Sequence, residues 1–153
     1  MGVSYTIADF PKGAGFDAVD WQVGHTDIRV DCPFSNLPGM DRLFMVIEGR
    51  GVELTCIDES GRKTANRVEP LRAPFAFRGD WTTSCRLIDG PVKVFNVMTR
   101  RGRFSASVQD MSSMDTGFEG NLIAVALPGL EAWIVDGDRP PDASSLLVRI
   151  RKA

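Results

Sequence analysis

The sequence predicts an all-β chain folded as a sandwich or closed barrel, and three observations predict it. Helical periodicity is nearly absent. Short runs rich in Val, Ile, Phe, Leu and Thr recur in its place. Residues that reverse the chain cheaply, Gly, Pro, Asp and Asn, separate those runs at roughly 8–12-residue intervals, which leaves no room for the helical crossovers of a parallel sheet.

Taken in order, the first run is Trp21–Val30, where Trp21 and Val23 alternate with polar Gln22. A polar, proline-punctuated loop from Pro33 to Asp41 leads into the second, Arg42–Glu48. Glu48-Gly49-Arg50-Gly51 then turns the chain into Gly51–Ile57, and Glu59-Ser60-Gly61 ends that strand. Ala73–Phe77 is closed by Gly79-Asp80 and Thr82–Leu87 by Asp89-Gly90-Pro91, after which Val92–Thr99 and Arg103–Gln109 follow. Residues 110–120 (DMSSMDTGFEG) carry the weakest pattern and read as a loop between two halves of a single domain spanning 1–153. Beyond it lie Asn121–Ala126, Leu130–Val135 and Ser145–Arg151, with Asp136-Gly137-Asp138 as a turn.

Parity adds to the strand pattern. Val92, Val94, Asn96, Met98 and Arg100 share one face of their strand, opposite Lys93, Phe95, Val97 and Thr99. Arg42, Phe44, Val46 and Glu48 likewise oppose Leu43, Met45 and Ile47. Both strands are apolar on both sides at their centres, which implies a layered structure with material on each face. Asn96, in the middle of VFNVM, is the most conspicuous polar interruption.

Composition narrows the function. A chain of 153 residues buries roughly 70% of the surface its unfolded form exposes, so neither disulfide nor metal is needed as a staple. Eighteen Lys and Arg against twenty Asp and Glu give a net charge of −2, which argues against nucleic acid as a partner. No apolar run approaches the ~18–20 residues of a membrane helix, so no membrane partner is expected. The start of the chain, MGVSYTIADFPKGAGF, lacks the basic and apolar regions of a secretory signal. Cys32, Cys56 and Cys85 are odd in number and lack CxxC spacing, which fits idle thiols in a reducing compartment, and the expected location is cytoplasmic.

The single histidine, His25, excludes a metal site built on several imidazoles and leaves any nucleophilic triad with one base in a polar strand-edge context. No metal, cofactor or catalytic residue is therefore expected. Two segments stand above this background. One is the Pro33–Arg42 loop; the other pairs Pro74-Phe75-Ala76-Phe77-Arg78-Gly79-Asp80 with Val94–Arg101. Together they set hydroxyl, carboxylate, guanidinium and carboxamide groups beside aromatic surface, as in a pocket with an apolar body and a few orienting polar groups. Arg42 or Arg100 suits a carboxylate through two parallel hydrogen bonds. Asn96 offers donor and acceptor together, which fits an amide or formyl group. The plainer alternatives are that Asp41 and Arg42 form a structural pair, that Asn96 satisfies a bulge, and that Arg100-Arg101 is a solvated strand end.

These segments resemble the HutD/Ves family of bacterial proteins. The resemblance lies in PFSNLPGMDRLFMVIEGRGVEL (33–54), PFAFRGD (74–80) and DGPVKVFNVMTRRG (89–102), in family order. It covers residues 20–109 well and the remainder as a general strand pattern. It implies a cupin-like fold, with two fused β-halves in a compact bicupin-type unit, and a link to histidine utilisation or stress response. Carried onto this chain, the family's motif residues are Ser35, Asp41, Arg42, Phe77, Asp80, Asn96, Met98 and Arg100, the candidate ligand-binding set. The chain departs from the pattern at Val94, where Asp is common, at Gln22, where Arg is common, and at Cys32, where Gly is common.

The reading that best fits is a metal-independent binding protein for a polar or anionic metabolite, such as a formylated amino acid, with a regulatory or stress-related role. Ser35, Arg42 and Asn96 would read its carboxylate and amide, while Phe77 and Met98 pack its body. The alternative is a metal-independent isomerase or hydrolase acting on a small acid, with Asp80 or Glu48 as base. A partner-binding scaffold is a third class, and a homodimer is an open possibility for the assembly.

Overall fold

Alternating side chains need a covered face, and this chain covers its strands by stacking three antiparallel sheets. The computed structural model describes residues 2–110, 120–127, 129–134 and 146–153. In chain order the strands are β1 (Val3–Phe10), β2 (Trp21–Ile28), β3 (Cys32–Pro33), β4 (Met40–Glu48), β5 (Val52–Ile57), β6 (Lys63–Val68) and β7 (Phe75–Arg78). They continue with β8 (Thr82–Leu87), β9 (Val92–Arg100), β10 (Phe104–Asp110), β11 (Asn121–Val125), β12 (Ala132–Ile134) and β13 (Leu146–Lys152). The central sheet has the order β1-β2-β9-β4-β7, flanked by the sheets β3-β8-β5-β6 and β10-β13-β11-β12.

The central sheet serves two cores. Trp21, Val23, Met45, Ile47, Phe95 and Val97 pack on one face against Phe104, Val108, Ile123, Val125, Leu146, Val148 and Ile150. Ile28, Phe44, Val46, Phe77, Val92 and Val94 pack on the other against Val52, Leu54, Cys56, Val68 and Cys85. This explains why β4 and β9 are apolar on both sides. Each fully buried Phe or Val there contributes about 1.5–3 kcal/mol of transfer free energy. The central sheet thus supplies a wall to both cores. The proposed dividing loop at 110–120 and the Asp136-Gly137-Asp138 turn lie outside the described residues, apart from the ends of the former.

Three strands carry no run in the sequence that marks them: β1, β3 and β6. All three sit at sheet edges, where one side of the backbone and much of the side-chain surface meets water, so no apolar alternation is required of them. Pro33 in β3 fits the same rule, since a residue without an N–H is tolerated at an edge. Elsewhere the ends shift by a few residues: β2 stops at Ile28, and β4 starts at Met40. The β4–β5 turn needs its glycine. Gly49 has φ of 99°, and a Cβ there would sit 2.6 Å from the Pro91 carbonyl oxygen.

Candidate functional site

Register on the central sheet decides which polar groups meet. Arg42 lies opposite Met98 and Phe44 opposite Asn96 across β4 and β9, while Gly24 pairs with Asn96 and Gln22 with Met98 across β2 and β9. Gln22, Gly24, Arg42, Phe44, Asn96 and Met98 therefore share one face. Arg42 and Asn96 are diagonal cross-strand neighbours, about 7–8 Å apart by backbone. Between this face, the N-terminal strand β1 and the loop after β3 lies a cavity of about 450 Å³. Its lining includes Ser4, Thr6, Gln22, Thr26, Ser35, Arg42 and Asn96 among polar residues, and Phe34, Leu37, Phe44, Val94 and Met98 among apolar ones. Among the described residues, no aspartate or glutamate lines it. Gly24 lets β1 close over this face: a Cβ there would lie 2.7 Å from the Tyr5 carbonyl oxygen.

Arg42 is the dominant charge. It is 9% exposed, and its guanidinium carbon sits 5.2 Å from the Phe34 ring centre and 4.9 Å from that of Phe77. Those rings stack on each other with centres 6.3 Å apart, so both lie to one side of the cation. Cation–π contact of this kind contributes about 0.5–2 kcal/mol, yet it leaves the N–H groups unpaired. Arg42 Nε is buried with no hydrogen-bond partner, and no carboxylate pairs with the side chain among the described residues. Burial pulls its pKa down to about 10, so it remains a cation at neutral pH. A buried cation without an anion is costly, and here it faces an open cavity. Asn96 repeats the pattern more mildly. It is 8% exposed, its Nδ2 donates a long 3.5 Å bond to Thr26 Oγ1, and its Oδ1 has no donor.

Of the residues singled out in the sequence, Ser35, Arg42, Asn96 and Met98 line this cavity, with Ser35 at the exposed mouth. Phe77 stands behind the wall, supporting Arg42. Asp41, Asp80 and Arg100 are elsewhere, occupied by scaffold contacts. Arg101 donates from Nε to Asp41 Oδ1 at 2.8 Å and from Nη2 to Asp80 Oδ2 at 2.7 Å and to the Met40 carbonyl at 3.1 Å. Asp80 Oδ1 accepts the Gly39 amide at 3.1 Å. Arg100 donates to the carbonyls of Phe16, at 3.0 Å, and Val19, at 2.7 and 3.1 Å. That clamp holds the segment bringing Phe16 to the cavity edge. So Arg42 does not pair with Asp41, as the plainer reading had it, and Arg101 is no idle strand end. Phe34 and Gln22 were missed as site residues. Phe34 had a signal in its place directly before Ser35, and Gln22 in its departure from the family pattern; Val94, the second departure, lines the same cavity.

The carboxylates considered as bases are not at the cavity. Asp80 is held by Arg101, and Glu48 is half-exposed, 3.8 Å from Lys93. Among the described residues no group of three His, Cys, Asp or Glu side chains is arranged to hold a metal ion. Hydrogen bonds, chiefly from Arg101 and then from Gly39, keep the Asp80 carboxyl below its ordinary 3.8. The folded state therefore takes up this proton less readily than the unfolded chain. The contribution is complete above the unfolded value and is lost as pH falls through the lower folded one. Asp80→Asn is expected to be about 1–3 kcal/mol less stable than wild type at pH 7, with the gap shrinking below about pH 4. Denaturant melts across pH read this directly; a gap that stays constant down to pH 2 would contradict it.

Comparison with known proteins bears on the same segments. The model of the HutD family matches residues 1–129. The chain belongs to the HutD family. An uncharacterised 21.2 kDa protein from the hutC 3′ region of Pseudomonas putida is 31% identical over 98 residues, 64% of this chain and 49% of that one. Protein Ves of Escherichia fergusonii is 29% identical over 108 residues, 69% of this chain and 54% of its own length. This chain thus spans about half the length of these curated relatives. Among solved structures, HutD from Pseudomonas fluorescens SBW25 (formate condition) superposes with a TM-score of 0.75 at 25% identity, covering 99% of this chain and 89% of that one. The all-β fold expected for the HutD family is the fold of this chain. No helix among the described residues is long and apolar enough to cross a membrane.

Proposed function

We propose that this chain is a metal-independent receptor for a small metabolite carrying a carboxylate and an amide or formyl group, with a regulatory role. The observation that carries this reading is Arg42: a buried guanidinium facing a cavity of about 450 Å³ and unpaired by any carboxylate among the described residues. A carboxylate is the group that fits, because it takes two parallel N–H bonds from a guanidinium edge. Asn96, with an acceptor left over, receives an N–H of the same ligand, and Phe34, Phe44 and Met98 contact its apolar body. Ser35 stands at the mouth.

Each hydrogen bond to the charged group is worth about 1.5–3 kcal/mol. Two or three of them, less the cost of immobilising the ligand, give affinities of roughly micromolar to millimolar. That range suits a sensor of metabolite level better than a tight carrier. The hutC neighbourhood named for the P. putida relative supports a connection to histidine utilisation. The binding test is calorimetry with formylated and free amino acids on wild type and on Arg42→Met: heat of binding is expected from wild type and at least about 100-fold weaker binding from the variant, whereas identical isotherms would contradict the site.

A further inference from the structure

We infer that the cavity selects a monoanion that also donates an amide N–H, and discriminates against an isosteric dianion. This rests on the receptor reading above and adds a charge rule to it. The rule comes from the inventory of the lining, which among the described residues contains one cationic side chain, Arg42, and no carboxylate side chain. A ligand with one carboxylate brings this cavity to neutrality. A second carboxylate would find only neutral neighbours: Gln22, Asn96, the hydroxyls of Ser4, Thr6, Thr26 and Ser35, and apolar surface.

The cationic side chains of β9 and the turn that follows it are engaged elsewhere. Arg100 is bound to the Phe16 and Val19 carbonyls, and Arg101 to Asp41 and Asp80. Lys93 sits beside Glu48 at the far end of β9. His25 borders the cavity, but it pairs with Phe95 in the register, so its ring, stacked on Tyr5 at 4.8 Å, belongs to the opposite face of the sheet. Burial lowers its pKa below the ordinary 6.5, outweighing the opposite pull of Asp27, with Lys93 adding to the lowering. It is therefore neutral at pH 7.5. A carboxylate brought next to these groups gives up water for dipoles alone, which leaves most of its desolvation uncompensated.

Hydrogen-bond polarity points the same way. Asn96 Oδ1 is a buried acceptor without a donor, so it rewards an N–H and repels a carboxylate oxygen, which only accepts. Gln22 already donates its Nε2 to Thr6 Oγ1 at 3.2 Å. The preferred ligand class is thus an N-acylated amino acid whose side chain is neutral and polar.

The test is calorimetry at pH 7.5 on the wild-type chain with N-formyl-L-glutamine and N-formyl-L-glutamate, which share size and shape and differ by one charge. The glutamine compound is expected to bind at least 10-fold more tightly. Equal or tighter binding of the glutamate compound overturns the charge rule while leaving the receptor reading in place. Absence of binding by both overturns the receptor reading and the rule with it. A second arm adds the missing cation. Gln22 shares a rung with Met98 and Arg42 on this face, so Gln22→Arg is expected to reverse the preference toward the glutamate compound; an unchanged ratio counts against the rule.

Discussion

Replacing Arg42 with methionine removes carboxylate binding and leaves the protein as stable as before, or more so. The two effects have one origin. A guanidinium that is 9% exposed and unpaired by any carboxylate among the described residues has given up hydration without an ionic partner, and the effective penalty for such a charge is several kcal/mol. Contacts with Phe34 and Phe77 return part of it, about 0.5–2 kcal/mol each. Methionine keeps a similar volume against both rings and carries no charge. The expected change is a gain of between 0 and about 2 kcal/mol, read by denaturant or thermal unfolding. Binding of a formylated amino acid should weaken by at least about 100-fold, the loss of two charge-assisted hydrogen bonds. A structural arginine behaves in the opposite way, with its removal lowering stability and sparing binding. Stability lost together with unchanged isotherms would therefore return Arg42 to the scaffold.

Phe95→Ala separates the two faces of the central sheet. Phe95 is 1% exposed in the core formed with β10, β11 and β13, on the face away from the cavity. Truncation leaves a void that neighbouring strands fill only in part, and a cost of about 3–5 kcal/mol is expected. The folded fraction should still bind ligand within about twofold of wild type, because Phe44, Asn96 and Arg42 project to the other side. Unfolding curves give the first number and calorimetry below the melting temperature the second. A large loss of affinity in folded Phe95→Ala would mean that the two cores are coupled through the sheet more strongly than side-chain alternation implies.

How much of this was legible beforehand follows from what each residue has to satisfy. Interior strands show themselves because both faces must be apolar: β4 and β9 emerge within two residues of their ends. The edge strands β1, β3 and β6 do not, since water satisfies much of what they expose. For the cavity, β1 was the serious omission, because Ser4 and Thr6 help to enclose it. The polar motif residues were found as a group but not sorted. Asp41, Asp80, Arg100 and Arg101 hold loops at one end of the sheet, whereas Arg42, one position from Asp41, faces the cavity. Both tasks call for the same residue types at adjacent positions. Only strand parity and register, which turn Asp41 and Arg42 to opposite faces, assign them. The near-absence of charge from the lining was visible in outline at Val94 and Gln22, but its meaning depended on both positions meeting Arg42 in space.

The central claim, that Arg42 receives a carboxylate, is tested most directly on its own N–H group. In ¹H–¹⁵N spectra of arginine side chains, the Arg42 Nε–H resonance is identified by its absence from Arg42→Lys. Titration with formate, the smallest carboxylate, should displace that resonance saturably while the Nε–H signals of Arg100 and Arg101, already bound to carbonyls and carboxylates, hold their positions. If the Arg42 resonance stays fixed through the titration and a different guanidinium responds, the cavity is not the receptor site.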